Sequence, residues 1–220
     1  MKNTIKTRQR TSQKGRRGRV VIEHGKAMMY ITPRRQLQLI RLATQTLIKS
    51  GYKPDLIIGI ATGGLYVPLV ARALGVPYGI WMAQGYDYNQ EKKTKVGKRQ
   101  RGTWFSPEIA VLRRGRPPVV RGGAKPNHLC HRLLLVDDLD HTGKTFHKAV
   151  SLLRQWYGYD FDIRTLALWH KKSSTFWVDY VAEVVDKHPQ TDEYPWIVQA
   201  HEEWINQLRG QVEKIRQKLK

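Results

Sequence analysis

The chain contains one cysteine, Cys130, in 220 residues, which leaves no internal disulfide and no four-thiolate zinc site. Such cysteine usage suits a reducing compartment, and the cytoplasm is the expected location. Long apolar runs are also missing: no stretch approaches the roughly 18 residues that suggest a membrane-spanning helix. The first residues lack the apolar core of a secretory signal, so neither membrane insertion nor export is expected. Acids are scarce, 18 Asp and Glu against 39 Lys and Arg, for a net charge of +21. That imbalance points to anionic partners, either phosphorylated small molecules or nucleic acid. Apolar surface is sufficient: 40% of the residues are hydrophobic, enough for a core, and the length fits one domain with appendages.

The positive charge is concentrated. Residues 1–19 carry Lys2, Lys6, Arg8, Arg10, Lys14, Arg16, Arg17 and Arg19 without an acid. They cannot bury enough surface to fold alone and read as a disordered basic arm, either a solvated tail or a nucleic-acid contact. From about Tyr86 to Asn127 the chain is rich in Gly, Pro, Lys and Arg, and within 91–127 only Glu91 and Glu108 oppose the charge. Most of this stretch is expected to be loop, with 91–127 a flexible basic insertion serving as a lid. At the other end, Ile205, Leu208, Val212, Ile215 and Leu219 fall at helical spacing. A C-terminal helix is expected over 202–220, packed on its own domain or pairing two chains.

Between these segments apolar runs alternate with helical patterns. Thr32 as N-cap, Pro33 at the first helical position and Gly51 beyond the end bracket a first helix, with Leu37, Ile40, Leu47 and Ile48 as its apolar stripe. Leu56–Ile60 is a short continuous apolar run, as a parallel strand buried on both faces requires. Ala61-Thr62-Gly63-Gly64 then turns into a helix from about Leu65 to Leu74, and Val76–Ala83 reads as the next strand. Strand, helix and strand recur at Leu133–Val136, Phe146–Trp156 and Ile163–Trp169. This order predicts an α/β fold with a parallel sheet flanked by helices. Trp81, Trp104, Trp169 and Trp177 are expected to be packing residues.

The sharpest local signal is Val136-Asp137-Asp138-Leu139-Asp140-His141-Thr142-Gly143-Lys144-Thr145. A buried strand gives way to adjacent carboxylates, and a turn of small and hydroxyl residues opens a helix. Successive backbone N–H groups at such a turn, with the helix N-terminus, make an anion pocket for a phosphate monoester. Thr142 and Thr145 add hydroxyl donors, and Gly143 lets the backbone approach closely. Asp137 and Asp138 can accept hydrogen bonds from a vicinal diol such as ribose, directly or through Mg²⁺. A P-loop is excluded, because its frame needs glycine where Asp138 stands. A glycosidase-like pair fits poorly, because neighbouring strand residues point to opposite faces unless the turn redirects them.

This segment resembles the phosphoribosyl-pyrophosphate (PRPP) motif of type I phosphoribosyltransferases: an apolar strand, two acids, then a Thr-Gly-x-Thr loop. Pro54 to Tyr78, with the Ala61-Thr62-Gly63-Gly64 turn, resembles the pyrophosphate loop of that family. Tyr86-Asp87 and the basic stretch resemble the entrance to its flexible catalytic loop. The likeness spans roughly Met29 to Glu202 and is closest to the xanthine-guanine and hypoxanthine (purine) enzymes, because Lys171 follows the next strand and Trp196-Ile197 follow Asp186.

The resemblance implies a Rossmann-like domain over 20–201 with a small hood. It also implies transfer of the 5-phosphoribosyl group from PRPP to a purine-type base, with Mg²⁺ as cofactor. By the same resemblance, Asp137, Asp138 and His141 are the catalytic candidates, with Asp137 and Asp138 also the metal ligands. Thr62, Gly63, Gly64, Asp140, Thr142, Gly143, Lys144 and Thr145 are the PRPP-binding candidates, and Lys171, Trp196 and Ile197 the base-binding ones. A homo-oligomer, dimer or tetramer, is also expected.

The chain departs from the pattern in places. His141 stands where purine enzymes usually carry an acid against the purine N7; neutral imidazole can accept or donate such a bond near pH 7. Thr62 replaces a basic residue, and Ala200-His201-Glu202 replaces an aromatic-acid pair. The alternative function is a nucleic-acid-binding regulator on the same fold, sensing PRPP or nucleotides, which the charge of +21 favours.

Overall fold

In the computed structural model the described residues are 19–61, 63–84, 104–112, 119–121 and 131–200, together with 211, 212 and 217. The chain divides into two compact units, one of residues 1–39 with 185–220 and one of residues 40–184. Residues 1–18 of the expected basic arm, most of the expected insertion 91–127 and most of the C-terminal segment lie outside the described residues. No described helix is long and apolar enough to cross a membrane.

The smaller unit holds a three-stranded mixed sheet of β1 (Arg19–Glu23), β2 (Lys26–Tyr30) and β10 (Trp196–Val198). His24 and Gly25 both have positive φ, 50° and 78°. This is the two-residue geometry that turns antiparallel strands without splaying them. β10 joins parallel to β2, with Ile197 opposite Met29. Alternation along β10 buries Ile197 and leaves Trp196 43% exposed.

Helix α1 (Pro33–Lys49) starts as predicted: the Arg35 amide donates to Thr32 Oγ1 at 3.2 Å, and Gly51 follows the end at φ 76°. Its buried stripe, however, is Leu39, Ile40, Ala43, Thr44 and Leu47, while Leu37 and Ile48 are 58% and 57% exposed. The predicted stripe is thus corrected at two of four positions. Leu37 sits two residues before Leu39, about 200° away around the helix, and so faces solvent.

The larger unit is built on a seven-stranded sheet in the order β6-β5-β4-β3-β7-β8-β9. Its strands are β3 (Leu56–Ala61), β4 (Tyr78–Gln84), β5 (Trp104–Leu112), β6 (Val119–Arg121), β7 (Arg132–Asp140), β8 (Asp162–Lys171) and β9 (Tyr180–Val185). β4, β3, β7 and β8 run mutually parallel, as the alternating pattern predicts. Within 86–127, where most residues are expected to be loop, β5 and β6 form strands that extend the sheet antiparallel from β4. Pro107, Pro117 and Pro118 obscured this hairpin, which stands at the edge of the sheet, where proline is tolerated.

α2 (Val67–Leu74) follows a 3₁₀ turn at Gly63–Tyr66, and α3 (Lys144–Tyr157) follows β7. Phe146, Ala149, Leu153 and Tyr157 of α3 pack with Leu133 and Leu135 of β7 and Ile58 of β3. Full burial of such side chains is worth about 1.5–3 kcal/mol each. Trp81 and Trp169 are fully buried, as predicted, but Trp177 is 85% exposed and is no packing residue. The side chain of Trp104 lies outside the description.

Candidate active site

β7 extends further than the apolar run suggests, reaching Asp140 rather than Val136. Its two flanks differ. Pairing with β3 stops at Gly59 opposite Val136, whereas pairing with β8 continues to Asp140 opposite His170. Asp137 and Asp138 therefore stand where the sheet opens on the β3 side. Openings of this kind at the carboxyl ends of parallel strands are where ligands of open α/β sheets bind.

Gly63 fills the opening from the other side. A Cβ built on Gly63 would overlap the Asp138 carboxylate and lie 2.5 Å from Asp137 Oδ1. The glycine turn after β3 and the acids of β7 are thus in direct contact. Both carboxylates reach one side, so the end of the strand redirects them as the opposite-face objection required. The Asp138 amide donates to Asp137 Oδ1 at 2.9 Å, and the Leu139 amide donates to Asp138 Oδ1 at 2.8 Å. Tyr66, at the end of the same 3₁₀ turn, donates its hydroxyl to the Asp137 carbonyl at 2.7 Å.

The electrostatics follow from this crowding. Burial, and then the Asp138 carboxylate beside it, hold the Asp137 carboxyl well above the usual carboxylate range. Burial and the same two acids push the Tyr66 phenol up. Two hard oxygen donors with strained like charge suit a divalent cation such as Mg²⁺, which takes one or two protein carboxylates and leaves its other places to substrate phosphates and water. Among the described residues no group of three or more His, Cys, Asp or Glu side chains is placed to hold a metal by itself. A cation here would thus be shared with a ligand.

Beyond β7 the turn 141–143 opens α3. Gly143 has φ 81° and is buried, and a Cβ there would lie 2.6 Å from Phe176 Cβ and 2.7 Å from the Phe176 amide nitrogen. Only glycine fits on both counts. The segment after β8 braces the turn from behind. Ser173 Oγ donates to the His141 carbonyl at 3.3 Å, and Thr175 donates to the Thr142 carbonyl from Oγ1 at 3.2 Å and from its amide at 3.5 Å. With those carbonyls held backward, the first-turn amides of α3, which have no intrahelical acceptor, are left to a ligand. Thr142 and Lys144 are exposed, and Thr145 is half-buried in the first turn of the helix.

The remaining predicted residues separate. Asp140 is 2% exposed and its Oδ2 lies 2.7 Å from His170 Nδ1. Its carboxylate thus joins β7 to β8 in the structure. His141 is half-buried; burial, then the Lys171 ammonium, pull its imidazole below the ordinary value against a smaller upward pull from Asp140. Lys171 at the end of β8 is 2% exposed, and burial lowers its ammonium to about 8. Trp196 and Ile197 belong to the other unit, Trp196 open and Ile197 in its core. Thr62 lies outside the described residues. Sequence reasoning missed Tyr66, Ser173, Thr175 and His170, whose contacts join segments far apart in the chain; only Tyr66, two residues beyond the glycines, stood close to a recognised motif.

A family model described as "Phosphoribosyl transferase domain" matches residues 27–203. The chain belongs to the phosphoribosyltransferase family. Its reaction is therefore the transfer of a phosphoribosyl group to a base, and its fold is that of the type I enzymes. Similar solved structures agree on the fold. A purine phosphoribosyltransferase from Pyrococcus horikoshii shares 21% identity over 78% of this chain and 91% of its own, with a TM-score of 0.51. The Helicobacter pylori xanthine-guanine-hypoxanthine phosphoribosyltransferase shares 15% over 82% and 97%, at 0.53. A hypothetical protein from Neisseria gonorrhoeae with bound ppGpp shares 19% over 80% and 90%, at 0.54. Comparison of the sequence with curated proteins gives no match.

Proposed function

We propose that this phosphoribosyltransferase transfers the 5-phosphoribosyl group of PRPP to a purine-type base, releasing pyrophosphate and forming a nucleoside monophosphate. The observation that carries this reading is the contact between Gly63 and the Asp137–Asp138 pair at the mouth of the α3 N-terminus. One corner thereby offers carboxylates for a ribose diol, amides for its 5-phosphate and a glycine turn for its diphosphate. The purine direction rests on Lys171 at the end of β8 and on the motif likeness.

Loss of pyrophosphate builds oxocarbenium character at ribose C1 and negative charge on the leaving group. Asp137 and Asp138 hold the ribose hydroxyls and set negative charge beside the developing cation. Thr142, Gly143, Lys144 and Thr145 bind the 5-phosphate, while Thr62, Gly63 and Gly64 supply amides to the diphosphate. Mg²⁺, held through Asp137 and Asp138, would neutralise charge on the diphosphate and ribose oxygens. Lys171 orients the base, and Trp196 and Ile197 are base-binding candidates by the motif likeness alone.

The test is a base panel: PRPP and Mg²⁺ with guanine, xanthine, hypoxanthine, adenine or orotate. Pyrophosphate release with one or more of the first three is expected. Release with adenine alone would keep the purine reading and move it away from the oxopurines, whereas release only with orotate would refute the base assignment. The alternative of a nucleic-acid-binding regulator is favoured by the charge of +21. It predicts RNA binding with a steep salt dependence and no pyrophosphate release.

A further inference from the structure

Where β7 parts from β3, a side-chain hydrogen bond still crosses the gap. The ladder between the two strands ends with Gly59 opposite Val136. One residue further on, the Asp137 carbonyl accepts from the Tyr66 hydroxyl at 2.7 Å. The donor comes from the other side of the opening, from the last residue of the 3₁₀ turn that begins at Gly63. Tyr66 is buried, as are Val67, Val70 and Ala71 of the helix it leads into. The phenol therefore reaches across to β7 from a packed base.

The glycine turn and the acids thus meet in two ways. Gly63 packs against the carboxylates of Asp137 and Asp138, and Tyr66 holds the main chain of Asp137. Packing alone limits only how close the two segments come. A hydrogen bond also limits how far they separate, because it weakens steeply once its distance and angle are lost. Together the two contacts fix the spacing between turn and acids.

That spacing matters to a ligand with two ends. Ribose 5-phosphate engages the acids and the amides of α3, whereas pyrophosphate engages the glycine turn. PRPP engages both at once, and its reaction lengthens the C1–O bond that joins them. Misplacement of reacting groups by about 1 Å can cost about a hundredfold in rate.

We propose, resting on the reading of this corner as a phosphoribosyl-transfer site, that Tyr66 is a positioning residue for the transfer. Its hydroxyl sets the distance between the diphosphate turn and the acids, so that PRPP is held as one molecule and not as two independent fragments. It acts through Asp137 and not on the substrate.

The experiment compares the wild type with Tyr66→Phe, which removes one oxygen from a buried ring and keeps its packing. Calorimetry measures binding of PRPP, ribose 5-phosphate and pyrophosphate, each with Mg²⁺, and pyrophosphate release gives kcat with whichever base the wild type uses. The two fragments are expected to bind within about twofold of wild type, while PRPP binds about tenfold more weakly and kcat falls about tenfold. A residue that merely supports the fold would weaken all three ligands alike. That result, or unchanged PRPP affinity and kcat in the folded variant, overturns the proposal and leaves the transferase reading intact. Tyr66→Met, which also lacks the donor, is the second variant and is judged by the same outcomes; loss of the fold in both would make Tyr66 a stability residue and overturn the proposal too. Failure of the wild type to bind PRPP or release pyrophosphate with any base overturns both readings.

Discussion

Gly63 and Asp138 touch so closely that no side chain fits between them. The contact joins the turn after β3 to the acids of β7, segments some 75 residues apart in the chain. Gly63→Ala must therefore displace the Asp138 carboxylate or the turn itself. The expected outcome is a fall in kcat/KM of about a hundredfold or more, comparable to losing a transition-state donor. The thermal midpoint should move only slightly, because the added methyl meets a side-chain terminus. Wild-type kinetics in this variant would remove Gly63 from the site.

Thr175 tests the brace behind the phosphate turn. Thr175→Val removes the Oγ1 bond to the Thr142 carbonyl and keeps the weaker amide contact. One hydrogen bond of this kind is worth about 1 kcal/mol. KM for PRPP should rise about fivefold, with kcat less affected, and Thr175→Ser should restore it. An unchanged KM would show that the turn holds its shape without the brace.

Lys171 should display a conflict between stability and function. Its ammonium is depressed from 10.5 to about 8 by burial, so the folded state disfavours the charged form. Between those values the unfolded chain holds a proton that the folded chain does not, and stability rises with pH across that window. Below about 8 the cost is fully present. Lys171→Met is thus expected to stabilise the protein at pH 7, on the order of 2 kcal/mol, with the advantage fading toward pH 10 and with impaired use of the base. Denaturant titrations at the two pH values check it; a destabilised variant at pH 7 would refute it.

Asp55 provides the contrasting case at the opposite end of the sheet. Its carboxylate accepts from the amides of His131 and Arg132, and its Oδ1 lies 2.8 Å from Arg132 Nη2. The Arg132 guanidinium holds the Asp55 carboxyl below its usual value. The stability this confers is present above the unfolded value and is lost as pH falls through the folded one. Asp55→Asn should lower the thermal midpoint at pH 7, flatten its decline in acid and leave kcat/KM unchanged. Impaired catalysis would tie this clamp to the site.

The parallel strands were legible because each is a continuous apolar run, and the corner because its acids, glycines and hydroxyls are adjacent in the chain. What the residues hid was of two kinds. The β5–β6 hairpin lies in a Gly-, Pro- and charge-rich stretch, where an edge position relaxes the pattern that marks a central strand. The engagement of Asp140 by His170, the brace from Ser173 and Thr175, and the bond from Tyr66 to Asp137 depend on which strands become neighbours. Spacing along one chain carries no trace of that. Leu37 and Ile48 of α1 misled for a related reason: apolar residues on an amphipathic helix need not share its buried face.

The central claim is that a sugar phosphate docks where β7 opens beside Gly63 and α3 begins. Calorimetric titration of PRPP with Mg²⁺ into the wild type, Asp55→Asn and Asp138→Asn tests it most directly, with circular dichroism confirming that each is folded. Saturable binding in the first two and its loss in Asp138→Asn is the result predicted here. Equal binding by all three folded proteins would contradict it.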